Sequence, residues 1–512
     1  MKNYIINKIR YYKQNYPLRL LILTGLILRL IAAVFSKGFA MHDDHFLVIE
    51  AAQSWVDGSD YNRWLPVNNN TQPSGHSFLY PGLHFLFFSF LNFINITDPL
   101  IKMFFVRLIH CFYSLLCIYF TYKITEKLSN RVNAFLSGLL IATLWFFPFI
   151  SVRNLVEVVS MPLLLASVWF IIKNNPLHIL GEGKGEVKNN FKNILIAGFF
   201  AGLAFSVRFQ TIVFSGAIIL VLVIDRKWSK AFFYGLTMLI TICLTQLPTD
   251  LVLWNKAFAE LTEYIRYNLA NAGNYISHPW YHYLIVIIGF LIPPLSIFLF
   301  YGFFRLKKQN LILFLPAFAF LLFHSVFPNK QERFIITIIP FIIIAGIIGW
   351  NDFKEKSAFW NRNQKLYNYC LIFFWVLNLL TLPFITTMYS KKARVESMVY
   401  LSQFDNIKSV MIEGDTKLPP RFYLKQWIQV YDVSVKHNYD GFYKAFSSLP
   451  IKDNPRFILF FNNDNLPERV NKIKTVFPDI KYETSIEPGF IDKILYWLNP
   501  KNANQQIIIY RN

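Results

Sequence analysis

Long apolar runs separated by short polar ones fill most of this chain. The first covers about 19–36. Others follow at about 101–122, 132–150, 155–172, 194–207, 210–224, 231–249, 282–300, 310–326, 334–350 and 367–388. Runs of this length and apolarity predict helices that cross a bilayer, roughly eleven in all. The stretch 37–100 breaks the rhythm. "HFLVIEAAQSWV" (45–56) has apolar residues at helical spacing with polar ones between, which predicts a helix lying on the membrane surface. "FLYPGLHFLFFSFLNFI" (78–94) is long enough to span, but Pro81, Gly82 and His84 near its start favour a second interfacial or partly embedded helix. Beyond about 390 the period changes again. "SVMIEGD", "RFILFFNND" and "QQIIIYRN" read as short buried strands, and "PERVNKIKTVF" reads as a helix. The expected organisation is a polytopic helical membrane domain over 1–389 and a small α/β domain over 390–512.

Charge orients this pattern. The net charge of +21, from 51 Lys and Arg against 30 Asp and Glu, would suggest nucleic acid in a soluble protein. Here the basic residues collect in short loops, as the positive-inside rule requires, and no nucleic-acid partner is expected. The basic stretch before the first run places the N-terminus in the cytoplasm. It has no small-residue cleavage site, so it reads as an uncleaved anchor. With 78–94 off the list of spans, nearly every cytoplasmic loop is basic, and the C-terminal domain emerges on the outer side. Counting 78–94 as a span would reverse every later loop. The 16% charged and 54% hydrophobic residues agree with a membrane protein. The four cysteines fall inside apolar runs and indicate neither a disulfide framework nor a zinc site.

This threading sorts the chemistry, because the unusual polar clusters all fall on the outer face. They are "MHDDHF" (His42, Asp43, Asp44, His45), "SVRNLVE" (Arg153, Glu157), "SVRFQ" (Arg208), "LPTD" (Asp250), "YNLANAGNYISHPWYHY" (Asn268, His278, Trp280, Tyr283) and "FHSVFPNKQERF" (His324, Lys330, Arg333). Ionisable groups at membrane depth are costly and usually functional. Convergence at one outer boundary would suit an enzyme whose substrate has a lipid tail and a polar head. Each cluster also has a plainer reading. Arg208 is either functional or a snorkelling arginine at a span end. Lys330 and Arg333 share a face if helical, and either hold a phosphate or decorate a turn. Trp280 and Tyr283 also fit an interfacial aromatic belt. Arg153 and Glu157 fit a local i, i+4 ion pair. Asp43 and Asp44 are either solvated loop acids or an N-cap for a helix starting near Phe46.

Taken together, these motifs resemble the GT-C glycosyltransferases that use lipid-phosphate sugars. The closest likeness is to the GPI-anchor and Alg9/Alg12-type mannosyltransferases. That group carries "HPDE" after its first span, where this chain has "HDDH" (42–45). Its "HPW.WY"-like stretch is matched by "HPWYHY" (278–283) and its "HS..PHKE.RF" signature by "HSVFPNKQERF" (324–334), and the arginine and glutamate of its "R..SN..E" are approximated by "RNLVE" (153–157). The likeness covers about 20–350. Asp43 stands where the family has proline, His45 where it has glutamate, Asn329 where it has histidine and Gln331 where it has glutamate. The C-terminal domain lies outside the likeness and resembles an addition found in bacterial relatives.

The resemblance implies an inverting transfer of a hexose, mannose by analogy, from a polyprenyl-phosphate sugar to a hydroxyl of a glycolipid or glycan acceptor. A carboxylate accepts the acceptor proton, and cations stabilise the departing phosphate. Alignment to "HPDE" makes Asp44 the general base. Other GT-C branches, with "DE" followed by an aromatic, would make Asp43 the base instead. Lys330, Arg333, Arg208, His278 and His324 are the candidates for the donor phosphate. His42, His45, Arg153, Glu157, Asp250, Asn268, Trp280 and Tyr283 are the candidates for the rest of the substrate site. No cofactor is expected. The acids and histidines have metal-ligating chemistry, but the single donor phosphate does not call for a metal, and metal dependence stays open. Expected partners are the donor, the acceptor and membrane lipid. The expected location is the inner membrane of a bacterium, with site and C-terminal domain on the periplasmic side. Competing classes are a lipid-linked oligosaccharide flippase, an aminoarabinose-type or protein O-mannosyl transferase of the same superfold, and a scaffold built on a decayed enzyme. Nearly uncharged span middles argue against the flippase.

Overall fold

The computed structural model describes residues 11–68, 71–173, 191–274, 277–306, 310–413, 420–433, 454–502 and 504–512. The first ten residues of the basic N-terminal flank and most of the lysine-rich loop expected after the fourth span lie outside them. The chain divides into two compact units. One comprises 1–33, 63–82 and 106–386, and the other comprises 34–62, 83–105 and 387–512.

The first unit is helical, and its helices follow the apolar runs one by one. Five helices, Pro17–Phe35, Pro99–Leu128, Trp228–Trp254, Glu332–Lys356 and Gln364–Thr386, are long and apolar enough to cross a membrane. Arg131–Thr143, Val156–Ile172, Phe191–Val207, Thr211–Ile224 and Leu311–Val326 are shorter apolar helices. The run expected at 282–300 is two helices, His282–Phe290 and Leu295–Arg305, broken where Pro293 and Pro294 interrupt the ladder. Small residues let helices approach. A Cβ on Gly302 would collide with the backbone carbonyl of Gly346 on the facing Ile339–Lys356 helix, and one on Gly349 would collide with that of Gly302. Such close backbone approach holds helices together where lipid removes most of the hydrophobic drive. Arg29, fully buried in the first helix, ties three helices: Nε donates to Ser114 Oγ (3.1 Å) and NH2 to the Ile141 carbonyl (3.0 Å). The sequence pattern did not single out this arginine.

The second unit contains the helix expected over 45–56 and the α/β domain. Residues 42–56 form one continuous helical stretch. A turn over His42–Asp44 passes into a π-helix over His45–Glu50 and then an α-helix over Ala51–Val56. The stretch 78–94 contains a 15-residue helix, Leu79–Phe93, most of which belongs to this unit. The sheet has five strands: β1 (Ser409–Glu413), β2 (Gln429–Asp432), β3 (Phe457–Phe461), β4 (Lys481–Ile486) and β5 (Ile507–Arg511). Their order is β2-β1-β3-β5-β4. β1 runs parallel to β2 and β3, whereas β5 runs antiparallel to β3 and β4. The Leu466–Lys474 helix, expected from "PERVNKIKTVF", buries Val470 and Ile473 against Met411, Ile458, Phe460 and Ile508. Asp492 accepts the backbone N–H groups of Lys391 (3.3 Å) and Lys392 (3.0 Å), which opens the Lys392–Leu401 helix.

Candidate active site

In the first unit, a buried charge cluster gathers residues from separated motifs. Glu157 enters on the first turn of the Val156–Ile172 helix. Its Oε1 lies 3.7 Å from Arg208 NH2 and 3.9 Å from Arg333 Nε, and all three side chains are at most 7% exposed. Arg208 sits between the Phe191–Val207 and Thr211–Ile224 helices. Its NH1 donates to Thr337 Oγ1 (2.5 Å), and Thr337 in turn donates to the Glu157 carbonyl (3.1 Å). The guanidinium also faces the rings of Phe320 and Phe334, at 5.5 and 5.8 Å. One carboxylate facing two buried guanidiniums leaves excess positive charge at low dielectric, which is where an anion is stabilised most.

The "HPWYHY" and "FHSVFPNKQERF" motifs are joined by backbone. Ser277 pairs with Asn329 as an isolated antiparallel bridge, and the Gln331 N–H donates to Tyr283 Oη (3.2 Å). Tyr283 is fully buried, with its ring centroid 6.5 Å from that of His324. His324 Nδ1 lies 2.9 Å from the Phe320 carbonyl, so Nδ1 carries the proton there and Nε2 is the ring atom open to another group. His324 is 4% exposed. Lys330 is 6% exposed and donates to the Phe327 carbonyl (2.8 Å); burial pulls its ammonium below the usual lysine range. Arg333 Nε donates to Gln331 Oε1 (2.8 Å).

The condition under which Lys330 and Arg333 would share a helix face is not met. Phe327 is extended, as a residue before proline prefers, and helical structure begins only at Glu332. Lys330 lies in the extended lead and Arg333 in the 3₁₀ turn. Glu157 is likewise more than the acid of a local pair with Arg153, since Arg208 and Arg333 flank it. Arg153 lies before the helix with its guanidinium 4.5 Å from the Phe149 ring.

Other expected members make contacts of their own. His278 stacks on His282 (4.1 Å between centroids), and Trp280 is 67% exposed, as the belt reading allows. Asn268 donates to the Tyr264 carbonyl within its own helix (2.8 Å). Asp250 is buried beside the first backbone amides of the Ala259–Ala270 helix and beside Glu260. Glu260 is a latch that the sequence pattern did not reveal. It accepts from the backbone N–H groups of Ser74, Gly75 and His76, from Ser74 Oγ and from Trp254 Nε1. Burial nonetheless pushes its carboxyl above the usual range. Tyr264 and Thr337 were also missed. Tyr264 accepts from Gln210 Nε2, and burial raises its phenol to about 12 although Arg208 opposes the shift. Thr337 carried a signal, standing one helical turn after Arg333; Tyr264 carried none.

In the second unit, Asp43 and Asp44 differ sharply. Asp44 is 5% exposed, whereas the Asp43 side chain is 48% exposed and lies 3.7 Å from His42 Nδ1. Neither caps a helix. The cap position is Met41, and both acids are inside the turn that leads into the π-helix. A π turn is uncommon and recurs at functional sites. His42 stacks on Phe46 (4.0 Å). His45 is fully buried between the rings of Phe39 (5.0 Å) and Tyr423 (5.4 Å), with Nε2 3.6 Å from Glu50 Oε1. Glu50 Oε1 accepts the Phe422 backbone N–H (3.1 Å). Among the described residues, no group of three His, Cys, Asp or Glu side chains is arranged to hold a metal ion.

The model of the Alg9-like mannosyltransferase family matches residues 20–418. The chain belongs to this family. Its match runs through every motif above and ends before most of the sheet. Human alpha-1,2-mannosyltransferase ALG9 is 22% identical over 366 residues, covering 68% of this chain and 56% of the human protein, and the mouse protein matches at 22% over 368 residues. The chain therefore spans little more than half the length of these family relatives. Among solved structures, ArnT from Cupriavidus metallidurans bound to undecaprenyl phosphate superposes with a TM-score of 0.58 at 12% identity, covering 96% of this chain and 97% of that one. The Archaeoglobus fulgidus oligosaccharyltransferase AglB, in complex with an inhibitory peptide and a dolichol-phosphate, superposes with a TM-score of 0.53 at 10% identity, covering 92% and 72%. These neighbours share the GT-C fold, and the chain's own long apolar helices are of the length and composition that crosses a membrane.

Proposed function

We propose that this family member transfers a hexose, mannose by family analogy, from a polyprenyl-phosphate sugar to a hydroxyl of a glycolipid or glycan acceptor at the outer membrane face. The observation that carries this reading is the unbroken family match through the Asp44, Glu157, Tyr283 and Arg333 segments. Structural relatives bound to undecaprenyl phosphate and to dolichol-phosphate support a lipid-phosphate donor.

In the proposed reaction, Asp44 accepts the proton of the acceptor hydroxyl as its oxygen attacks the anomeric carbon from the face opposite the phosphate. The bond between the anomeric carbon and the phosphate oxygen breaks, and the electron pair leaves with the lipid phosphate. Inversion follows. Burial of Asp44 suits a base kept from water better than does the half-exposed Asp43. The Arg208 and Arg333 guanidiniums and the Lys330 ammonium stabilise the charge gathering on the leaving phosphate. Glu157 holds the two guanidiniums in place. The donor's lipid tail supplies anchoring and orientation.

Purified protein incubated with polyprenyl-phosphate-mannose and membrane lipids should release polyprenyl phosphate. Failure to release it from any sugar donor would sink this reading and favour a transporter or scaffold.

A further inference from the structure

The second unit contains a small cavity with charged lining residues that none of the family motifs includes. Its volume is about 190 Å³, too small for a drug-sized ligand and ample for one charged group with its hydration. Three cations line it, Lys102, Arg421 and Lys425, against one carboxylate, Asp57.

Lys102 is the unusual member. It is 2% exposed, and its hydrogen-bond acceptors among the described residues are two neutral amides, Gln53 Oε1 (2.8 Å) and Asn92 Oδ1 (2.5 Å). An ammonium has three N–H groups, so one donor remains. A buried charge held by dipoles alone is expensive unless a counter-ion completes it. Asp57 attracts the ammonium through space, but its hydrogen bonds among the described residues go elsewhere. Its Oδ1 accepts from Gln53 Nε2 (2.9 Å) and its Oδ2 from Trp427 Nε1 (2.9 Å). Arg421 lies over the Tyr61 ring (4.8 Å), and its Nε has no hydrogen bond among the described residues. Lys425 meets Asp98 outside the lining, at a loose 3.4 Å.

We propose that this cavity binds a phosphate ester group. A phosphomonoester carries about −1.5 to −2 charge near pH 7 and three acceptor oxygens. That matches the excess of cations and the unused donors of Lys102 and Arg421. A lipid phosphate headgroup and a water-soluble phosphate share this chemistry. The proposal does not rest on the transferase reading, and its test reads binding without turnover.

The test uses full-length protein in detergent in an Arg333→Gln background, so that the contribution of the cluster in the first unit is reduced and is the same in every variant compared. Saturable binding of radiolabelled inorganic phosphate and, separately, of farnesyl monophosphate is measured. Both probes should bind, and adding Arg421→Gln with Lys425→Gln should weaken binding by at least about tenfold, the loss of one charge-assisted hydrogen bond. Tighter binding of farnesyl monophosphate would assign a lipid source, and equal binding a soluble one. Lys425→Gln alone, at an exposed position, should weaken binding in the same direction with an unchanged melting temperature. Absence of saturable binding in the Arg333→Gln background, or binding that these substitutions leave unchanged, would overturn the proposal.

Discussion

His45 Nε2 lies 3.6 Å from Glu50 Oε1, and neither side chain has exposed surface. The pair closes the two ends of the π-helix that begins immediately after Asp44. Aromatic rings sandwich the imidazole, and the backbone N–H of Phe422 donates to one oxygen of the carboxylate. The histidine that stands in place of the family glutamate therefore braces the turn beside the proposed base. Glu50→Ala would leave the imidazole and the Phe422 N–H without their buried partner. It should cost roughly 3 kcal/mol, read as a fall in thermal or denaturant midpoint of the full-length protein. A loss under about 1 kcal/mol, typical of exposed pairs, would show that the contact braces nothing.

Glu157, Arg208 and Arg333 should behave as one unit. Glu157→Gln leaves two buried guanidiniums without their carboxylate, whereas Arg208→Gln removes one of the two cations that face Glu157, so their effects on stability should not add. A double-mutant cycle should return a coupling of about 1–3 kcal/mol. Additive single effects would mean that the 3.7 Å contact between Glu157 and Arg208 is not an energetic interaction.

Glu260 makes a pH-dependent contribution with a definite sign. Burial raises its folded-state pKa above the unfolded value, so the folded protein holds the proton more tightly. Its contribution is greatest below the ordinary glutamate value near 4.3 and is lost as pH rises through the raised folded value. Glu260→Gln cannot titrate, and its amide N–H₂ would face backbone donors. The variant should be less stable by roughly 1–3 kcal/mol. The stability gap between wild type and variant should narrow as pH rises through that window and stay constant above it. A gap that widens with pH would reverse the assigned shift.

Much of this organisation is legible in the sequence where one physical constraint dominates. The bilayer demands apolar length, so every apolar run corresponds to a helix or helix pair. Within the sheet, β1, β3 and β5 were readable because they are its central, buried strands. β2 ("QVYD") and β4 ("KYETSI") are the edges. They are half-exposed and polar, and lack the apolar run that marks a buried strand. At the site, motif membership was legible and partnership was not. Glu157 meets Arg208 and Arg333, which are far away in the chain, and local spacing instead suggested Arg153. The different burial of Asp43 and Asp44 arises from the π turn, which no residue pattern announces.

The close backbone approach at Gly302 and Gly346 gives a prediction independent of the site. A Cβ at Gly346 would press on the backbone of Leu299, which cannot yield as a flexible side chain can. Gly346→Ala should force the two helices apart and lower the melting temperature, at a cost of about 1–3 kcal/mol. An unchanged melting temperature would contradict the packing described.

The most direct measurement compares Asp44→Asn with Asp43→Asn in releasing polyprenyl phosphate from polyprenyl-phosphate-mannose. Both variants should insert and melt like the wild type. Asp44→Asn should lower the rate by about 10²–10⁴-fold, the usual worth of a general base, while Asp43→Asn keeps most of it. Full activity of Asp44→Asn, with or without loss in Asp43→Asn, would contradict the assignment of Asp44 as the base.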